Sequence, residues 1–186
     1  MSKKNLSIII CAAVVLILAV GGWLWYQQTT APKRFTAQKV SFKYPRTYET
    51  SKESATKTAH AERLVKLVNI SPVAVIELNH ETGAIIGANL TKSNFLDYLE
   101  KTATRALPLS YAEYKKLNDS RITVAGKAAS RIDFTYKGKD KKTLLYMTLI
   151  IMTSGNDAYY FYAQSPNKDF WRQTIDTVQP SLVVKS

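Results

Sequence analysis

The pattern of apolar and polar positions divides the chain into an apolar N-terminal segment and a mixed remainder. Residues 6–26 form an apolar run without a charged side chain. Beyond residue 40, short stretches alternate apolar and polar residues as strands do, and two stretches repeat apolar residues at helical spacing. We predict a short N-terminus over residues 1–5, a helix over 6–26, a polar stalk over 27–39 and one folded domain over 40–186.

The apolar run has the length of a transmembrane helix. As a helix, residues 6–26 would be about 30 Å long, which matches the hydrocarbon core of a bilayer. A cleaved export signal has a shorter apolar region, of about 7–15 residues, followed by small residues. Trp23, Trp25 and Tyr26 end the run as aromatic residues do at a membrane interface. We predict an uncleaved single-pass anchor, with a signal cleaved after Ala31 as the alternative.

The residues around the run indicate how it is oriented. Lys3 and Lys4 precede it, and together with the very short N-terminus they favour an N-terminus in the cytoplasm. The domain is then expected on the extracytoplasmic side of the cell membrane. Cys11 is the only cysteine, so no disulfide can form within the chain. The sequence "III" precedes it where a lipoprotein signal needs small residues, so Cys11 is predicted to be an ordinary apolar residue of the helix.

The pattern predicts, in order, several strands, a helix, further strands and a last helix in the domain. Strand signals cover residues 40–44, 64–70, 73–78, 127–136, 144–152 and 158–164. The first helix is predicted over residues 95–107, with Asn94 as its N-cap and Pro108 as its stop. The second is predicted to open at Ser165-Pro166 and to stop at Gln179-Pro180. Residues 49–62 have scarcely an apolar side chain and read as a mobile loop or a frayed helix.

This order of elements predicts an α+β fold. Runs of strands separated by single helices are typical of an antiparallel sheet with helices packed on it. Residues 144–152 are apolar on both faces of the predicted strand, which indicates a strand covered from both sides. We therefore predict an antiparallel sheet covered by helices on both faces, an α/β/α sandwich.

Three motifs also carry a family resemblance. "VSFKYP" followed by Tyr48, "VAGKAASRIDFTY", and "AYYFYAQS" with "FWRQTIDTVQPSLVV" occur in this order over residues 40–184. They resemble the opening, middle and closing motifs of the PsbP-like family, the extrinsic photosystem II protein and its bacterial relatives. Relatives often carry tryptophan where this chain has Tyr48. The resemblance implies an α/β/α sandwich and a binding or assembly role, because known members are accessory proteins, but a shared fold does not determine the partner.

The charge of the chain bears on its partners. The net charge is +12, of which Lys3 and Lys4 contribute only two, so the remainder carries +10. Such a surplus suits membrane headgroups, acidic wall polymers, nucleic acid or an acidic protein face. Four lysines lie within residues 137–142, and they predict a contact with an anionic surface: Lys137, Lys139, Lys141 and Lys142. The same lysines also suit a turn kept polar for solubility. No nucleic-acid partner is expected for a domain outside the membrane.

Catalytic and metal-binding signals are poor. The sequence has no G-x-S-x-G elbow, P-loop or G-x-G-x-x-G. His80 and Glu81 lie in "LNHETG", whose spacing fits no zinc pattern, so His80 is predicted to be an exposed turn residue. The aromatic residues 159–162 could stack bases or sugars. Because neighbours in a strand alternate faces, half of them must enter the core, and core packing is the prediction.

Two classes of function remain. We predict a non-enzymatic, membrane-anchored accessory domain that binds an envelope protein or an anionic surface, with no catalytic residue, cofactor or metal. The alternative is an envelope hydrolase or metal-dependent enzyme with a dispersed site. A pocket that gathers titratable groups with strongly shifted pKa values would favour the enzyme.

Overall fold

The computed structural model describes residues 31–53, 57–84, 90–91 and 93–185. The strands are β1 (Lys33–Ala37), β2 (Val40–Tyr44), β3 (Glu49–Thr50), β4 (Ala61–Ile70), β5 (Val73–Glu81), β6 (Lys115–Val124), β7 (Lys127–Lys137), β8 (Leu144–Ser154), β9 (Asp157–Ser165) and β10 (Val183–Val184). The helices are α1 (Phe95–Ser110) and α2 (Lys168–Val178), and a 3-10 turn (Gln179–Ser181) follows α2.

The predicted anchor at residues 6–26 lies outside the described residues. Within them, no helix has both the length and the apolar character needed to cross a membrane.

Seven antiparallel strands form the main sheet. Their order is β3-β4-β5-β9-β8-β7-β6, and a small separate sheet has the order β1-β2-β10. Strand β9 is the middle strand, and it pairs with β8 in a register that sets Leu149 opposite Tyr162. The predicted pairing of residues 144–152 with 158–164 is therefore confirmed. Gly155 has a φ of 64° in the turn between them, a conformation that glycine adopts without strain.

Helix α2 and the small sheet cover one face of the main sheet. Phe42 of β2, Ile76 of β5 and Phe161 of β9 are fully buried in one cluster with Ile175 and Trp171 of α2. The middle of β4, β5 and β9 places apolar side chains on this face, and polar residues such as Asn69 and His80 lie towards the strand ends. We call this side of the main sheet the packed face.

Helix α1 lies on the opposite face. Its Phe95, Leu96 and Leu99 are buried in a second cluster with Ile132 of β7 and Leu149 of β8. Since side chains alternate along a strand, the two helices reach different residues of β8: Leu149 belongs to the cluster of α1, whereas Ile150 belongs to that of α2. The predicted α+β fold with an antiparallel sheet is confirmed.

Part of the predicted stalk belongs to the fold. Residues 33–37 form β1, which pairs with β2 and places the ring of Phe35 5.3 Å from that of Phe42. A five-residue strand with one large apolar residue has no recognisable period, and its stability comes from the neighbouring strand. The C-terminal residues 183–184, for which no strand was predicted, likewise form β10 against β2.

Three predicted boundaries differ from the structure. Helix α1 continues past Pro108 to Ser110. Proline in the last turn removes only one hydrogen bond of the helix, and Tyr111 N–H still donates to the Leu107 carbonyl. Helix α2 begins after Asn167, whose Oδ1 accepts a 2.9 Å hydrogen bond from Phe170 N–H, and so not at Pro166. The described part of residues 49–62 contains β3 and the start of β4 rather than a helix.

Candidate functional site

The described residues cover only half of the face that carries α1. The apolar residues of α1 pack on β7 and β8, whereas this face of β5 presents Val75, Glu77 and Asn79, all half-buried. The residues between them, Ala74, Ile76 and Leu78, are fully buried on the packed face. Strand β5 therefore alternates between a core side and an open polar side.

A cavity of about 340 Å³ lies over this open area. Its walls come from β5, β8, β9 and the end of α1, and its lining residues are Val75, Glu77, Asn79, Tyr111, Met147, Tyr162 and Gln164. Antiparallel pairing explains the grouping, because Glu77 lies opposite Tyr162 and Val75 opposite Gln164. Val75 and Met147 contribute apolar surface, while the amides, the carboxylate and the phenols supply hydrogen-bonding groups.

Two further depressions continue this cavity in opposite directions. One, of about 490 Å³, shares Tyr111 and Gln164 with it and reaches Tyr136 and the lysine loop. The other, of about 370 Å³, shares Glu77 and Asn79 and reaches Glu81 and Tyr160. We call the three together the sheet groove. It is elongated, with lysines at one end and carboxylates towards the other.

Hydrogen bonds hold several side chains of the sheet groove in place. Tyr136 donates from its hydroxyl to Gln164 Oε1 at 2.5 Å, and Tyr160 donates to Glu81 Oε2 at 3.0 Å. Asn79 donates from Nδ2 to Glu77 Oε1 at 3.1 Å. These polar groups are positioned before any ligand binds, which lowers the entropy cost of recognition.

The phenols of the sheet groove are neutral at physiological pH. Burial, with a smaller effect of nearby Tyr111, raises the pKa of Tyr136 to about 12. Burial is also the main cause of the raised pKa of Tyr160 and Tyr162, with Glu81 and Tyr111 as the next causes respectively. The phenols therefore serve as hydrogen-bonding and stacking groups.

The four lysines of the sequence prediction lie together on the β7–β8 loop. Lys137, Lys139 and Lys141 line the end of the sheet groove, and Lys142 is exposed on the same loop. Asp140 stabilises the loop by accepting hydrogen bonds from Thr143 Oγ1, Thr143 N–H and Lys142 N–H. These bonds lower the pKa of Asp140 to about 2, with the Thr143 hydroxyl as the largest cause. The loop is therefore ordered, and its lysines outnumber its one acid.

His80 is buried, so its predicted exposure is wrong. Only 7% of it is exposed, because it lies on the packed face with its ring 4.7 Å from that of Tyr159. Its Nδ1 is 3.4 Å from Glu62 Oε1, and its Nε2 is 3.7 Å from Asp157 Oδ2. Glu81 is one residue away in β5 and so points to the opposite face. Among the described residues, no cluster of three or more His, Cys, Asp or Glu side chains could hold a metal ion.

The tyrosines of the sheet groove were missed as site residues. Residues 159–162 were assigned to core packing, and Tyr159 and Phe161 are indeed buried on the packed face. Tyr160 and Tyr162 face the sheet groove instead. A signal was available, because "VAVIELNHE" alternates and sets Glu77 and Asn79 on the side opposite its buried residues. Polar residues at every second position of an inner strand indicate that one face lacks cover.

Comparison with solved structures identifies the fold. CyanoP, the cyanobacterial PsbP from Synechocystis, superimposes with a TM-score of 0.54 at 13% identity, over 82% of this chain and 91% of that one. The domain has a PsbP-like fold. LpqN of Mycobacterium tuberculosis, a protein involved in cell envelope biogenesis, gives a TM-score of 0.53 at 11% identity, over 87% of this chain and 95% of that one.

A protein of Bacteroides thetaiotaomicron also shares this fold. It gives a TM-score of 0.54 at 13% identity over 83% of this chain, which spans about half of that longer chain, 49%. The sequence matches no protein-family model and no curated protein. At these identities the PsbP-like domain shares the fold with its structural neighbours, and function has to be argued from the site.

Proposed function

We propose that this protein is a non-enzymatic binding domain, anchored in the cell membrane through residues 6–26, that holds a segment of an envelope protein in its sheet groove on the extracytoplasmic side. The observation that carries the proposal is the half-covered face. A sheet face lined by tyrosines, amides and carboxylates, and left open beside α1, offers both hydrogen bonds and aromatic surface to a partner.

The shape of the sheet groove favours a chain-like partner. Its three depressions, of about 490, 340 and 370 Å³, follow one another across the sheet. A compact metabolite would fill one of them, whereas an extended polypeptide segment could occupy all three. Main-chain amides of such a segment would pair with the side chains of Asn79 and Gln164.

The charges of the sheet groove favour a polypeptide over a uniformly anionic polymer. Lys139 and Lys141 line one end, and Glu77 and Glu81 lie towards the other. A peptide can carry acidic residues near the lysines and basic residues near the carboxylates, which matches both ends.

The state of the polar groups supports binding rather than catalysis. The phenols of Tyr136 and Tyr160 are neutral and hydrogen-bonded to Gln164 and Glu81, so they are poor proton acceptors at physiological pH. His80, a natural general base, borders the carboxylate end of the sheet groove. Its ring, however, is stacked on Tyr159 of the packed face, between Glu62 and Asp157. An envelope partner is also in keeping with the structural neighbour LpqN, which takes part in cell envelope biogenesis.

Site-directed photo-crosslinking in membranes tests the proposal. A photo-reactive phenylalanine analogue replaces Asn79 in the sheet groove of the full-length chain. We expect a light-dependent adduct whose added mass is polypeptide. Tyr162→Ala, which removes an aromatic wall of the sheet groove, should reduce the yield of this adduct.

Two controls make the test specific. The same analogue at Arg172, exposed on α2, should give no such adduct. Tyr146→Ala, a half-buried tyrosine beside Trp171 on the packed face, should leave the yield at position 79 unchanged. Equal adducts from positions 79 and 172 would mean that the sheet groove is not the binding site. A glycan adduct would replace the protein partner with a polysaccharide.

A further inference from the structure

Four exposed apolar side chains lie at one end of the main sheet. Ile70 and Val73 flank the β4–β5 turn and are 79% and 57% exposed, Leu109 near the end of α1 is 89% exposed, and Leu144 at the start of β8 is 41% exposed. Large apolar side chains at these exposures give little stability to the isolated domain. Their grouping at one end therefore points to an apolar neighbour.

Strand pairing shows that these residues share one end of the molecule. Val75 lies opposite Gln164, near the end of β9, and Tyr146, near the start of β8, lies opposite Ser165. Ser165 Oγ also donates a 2.8 Å hydrogen bond to the Val73 carbonyl. The β4–β5 turn and the β7–β8 loop are thus on the same side, about 14 Å apart at the usual strand spacing.

The lysine loop and the end of α1 belong to the same end. Lys137 N–H donates to the Ala112 carbonyl at 2.8 Å, which brings Leu109 and Ser110 beside the loop. The loop adds exposed Lys139, Lys141 and Lys142 to the apolar group. Two exposed acids lie at the same end, Glu113 next to Ala112 and Asp169 four residues after the end of β9, so the positive charge is concentrated on the loop itself.

The chain enters the domain at this end as well. Lys33, the first residue of β1, donates a 3.2 Å hydrogen bond from Nζ to the Tyr48 carbonyl. Glu49, which follows Tyr48 in the chain, lies opposite Val68 of β4. Val68 is two residues from Ile70 in the same strand. The six residues 27–32 can span at most about 20 Å. If residues 6–26 cross the bilayer, this end lies within that distance of its surface.

We propose that this end of the domain docks on an anionic bilayer surface. Ile70, Val73, Leu109 and Leu144 enter the headgroup region, and the lysines of the β7–β8 loop contact anionic lipid headgroups. The inference rests on the anchor of the proposed function, because the short tether keeps the local lipid concentration high enough for weak contacts to hold. It places the lysine end of the sheet groove at the membrane, so a bound partner would meet the domain next to the bilayer.

The test measures how close two ends of the full-length chain come to lipid. The chain, with Cys11→Ser, is reconstituted into vesicles of phosphatidylcholine with or without phosphatidylglycerol. A fluorophore is attached at Ser71→Cys, in the β4–β5 turn, or at Asn156→Cys, in the exposed β8–β9 turn at the opposite end. Quenching by lipids spin-labelled at the headgroup reports proximity, and we expect it at position 71 in anionic vesicles and not at position 156.

Matched variants separate docking from mere tethering. Replacing Lys139, Lys141 and Lys142 by Gln should lower the ratio of docked to free domain roughly a hundredfold, since each lysine near an anionic surface contributes a factor of about five. The charge-matched set Lys39→Gln, Lys101→Gln and Lys185→Gln, exposed elsewhere, should leave quenching unchanged. Ile70→Ser with Val73→Ser should weaken it without loss of folding, because both side chains are exposed.

The possible failures are distinguishable. Equal quenching at positions 71 and 156 would overturn docking while leaving the anchor intact. If neither the lysine substitutions nor the apolar substitutions change the quenching at position 71, the quenching reflects the tether alone. This result would also overturn docking. A chain released from the vesicles by alkaline carbonate would overturn the anchor, and the docking inference with it. None of these outcomes touches the crosslinking test of the sheet groove.

Discussion

The two sides of strand β9 use the same kind of residue in different ways. Tyr159 and Phe161 are buried on the packed face, whereas Tyr160 and Tyr162 are half-buried in the sheet groove. On the packed face, Phe161 meets Phe42 of the small sheet edge-on with ring centroids 5.5 Å apart. In the sheet groove, the ring of Tyr160 is partly exposed and its hydroxyl donates a hydrogen bond to Glu81.

This difference follows from what covers each face. The packed face receives α2 and the small sheet, so its side chains gain stability by losing contact with water. In the part of the chain that the structure describes, the other face receives one helix, which covers β7 and β8 and leaves β5 and part of β9 open. Aromatic residues on the open part retain surface and hydrogen-bonding groups that a ligand can reach. Three pairs of substitutions test this contrast.

The largest effect is expected in the covered part, at Leu149. This side chain is 2% exposed beneath α1, and Leu149→Asp would bury an unpaired carboxylate. Such a charge costs several kcal/mol, which is comparable to the whole stability of a domain. We expect loss of cooperative thermal unfolding, followed by circular dichroism of the full chain in detergent.

Leu144→Asp is the matched control in the same strand. Leu144 is 41% exposed, so its carboxylate would remain hydrated and the melting temperature should change little. An unchanged melting temperature for Leu149→Asp would mean that β8 is not a covered inner strand.

Neighbouring residues of β5 provide a test of intermediate size. Ile76→Ala removes a fully buried side chain of the packed face and should lower the free energy of unfolding by about 2–5 kcal/mol. Val75→Ala acts on the open side and should cost less than about 1 kcal/mol, because the side chain is only half-buried. Chemical denaturation gives both values. Equal losses would show that the face over β5 is covered as completely as the packed face.

The smallest effect concerns the pH dependence of the two faces. Burial raises the pKa of Tyr136, in the sheet groove, and of Tyr48, on the packed face, to about 12 from 10.0. Because the unfolded phenols ionise first, both contribute stability that is fully present below pH 10 and lost as the pH rises through about 12. Tyr136→Phe and Tyr48→Phe should each remove one late-ionising phenol from the absorbance titration. A phenol that titrates near pH 10 at either position would contradict its burial.

Local patterns predicted most of the strands and both helices. The alternation in "VSFKYP" and the apolar runs of β4, β5, β8 and β9 are visible in the sequence, because a strand between two layers must be apolar at every second position or at all of them. Strand β1 and strand β10 could not be predicted in this way. Each is short and depends on hydrogen bonds from β2, which is distant from residues 183–184 in the chain.

The candidate site was predicted less well. The lysines of the β7–β8 loop were visible as a local charge cluster, and the structure shows three of them lining the sheet groove. Glu77 and Tyr162 meet only because β5 pairs with β9, more than 80 residues later in the sequence. His80 was assigned to an exposed turn because its neighbours are polar, yet β5 extends to Glu81 and carries it into the sheet.

The sequence by itself determined the alternation of faces, the turns and the class of fold, because these follow from the chemistry of neighbouring residues. Only the tertiary structure decided which faces are covered. The alternation along β9 shows that Tyr159 and Tyr160 point to opposite faces of the sheet. It does not show which of the two side chains is covered by another layer. That depends on where α1 packs, and α1 is too narrow to cover seven strands. The uncovered remainder of that face is the sheet groove.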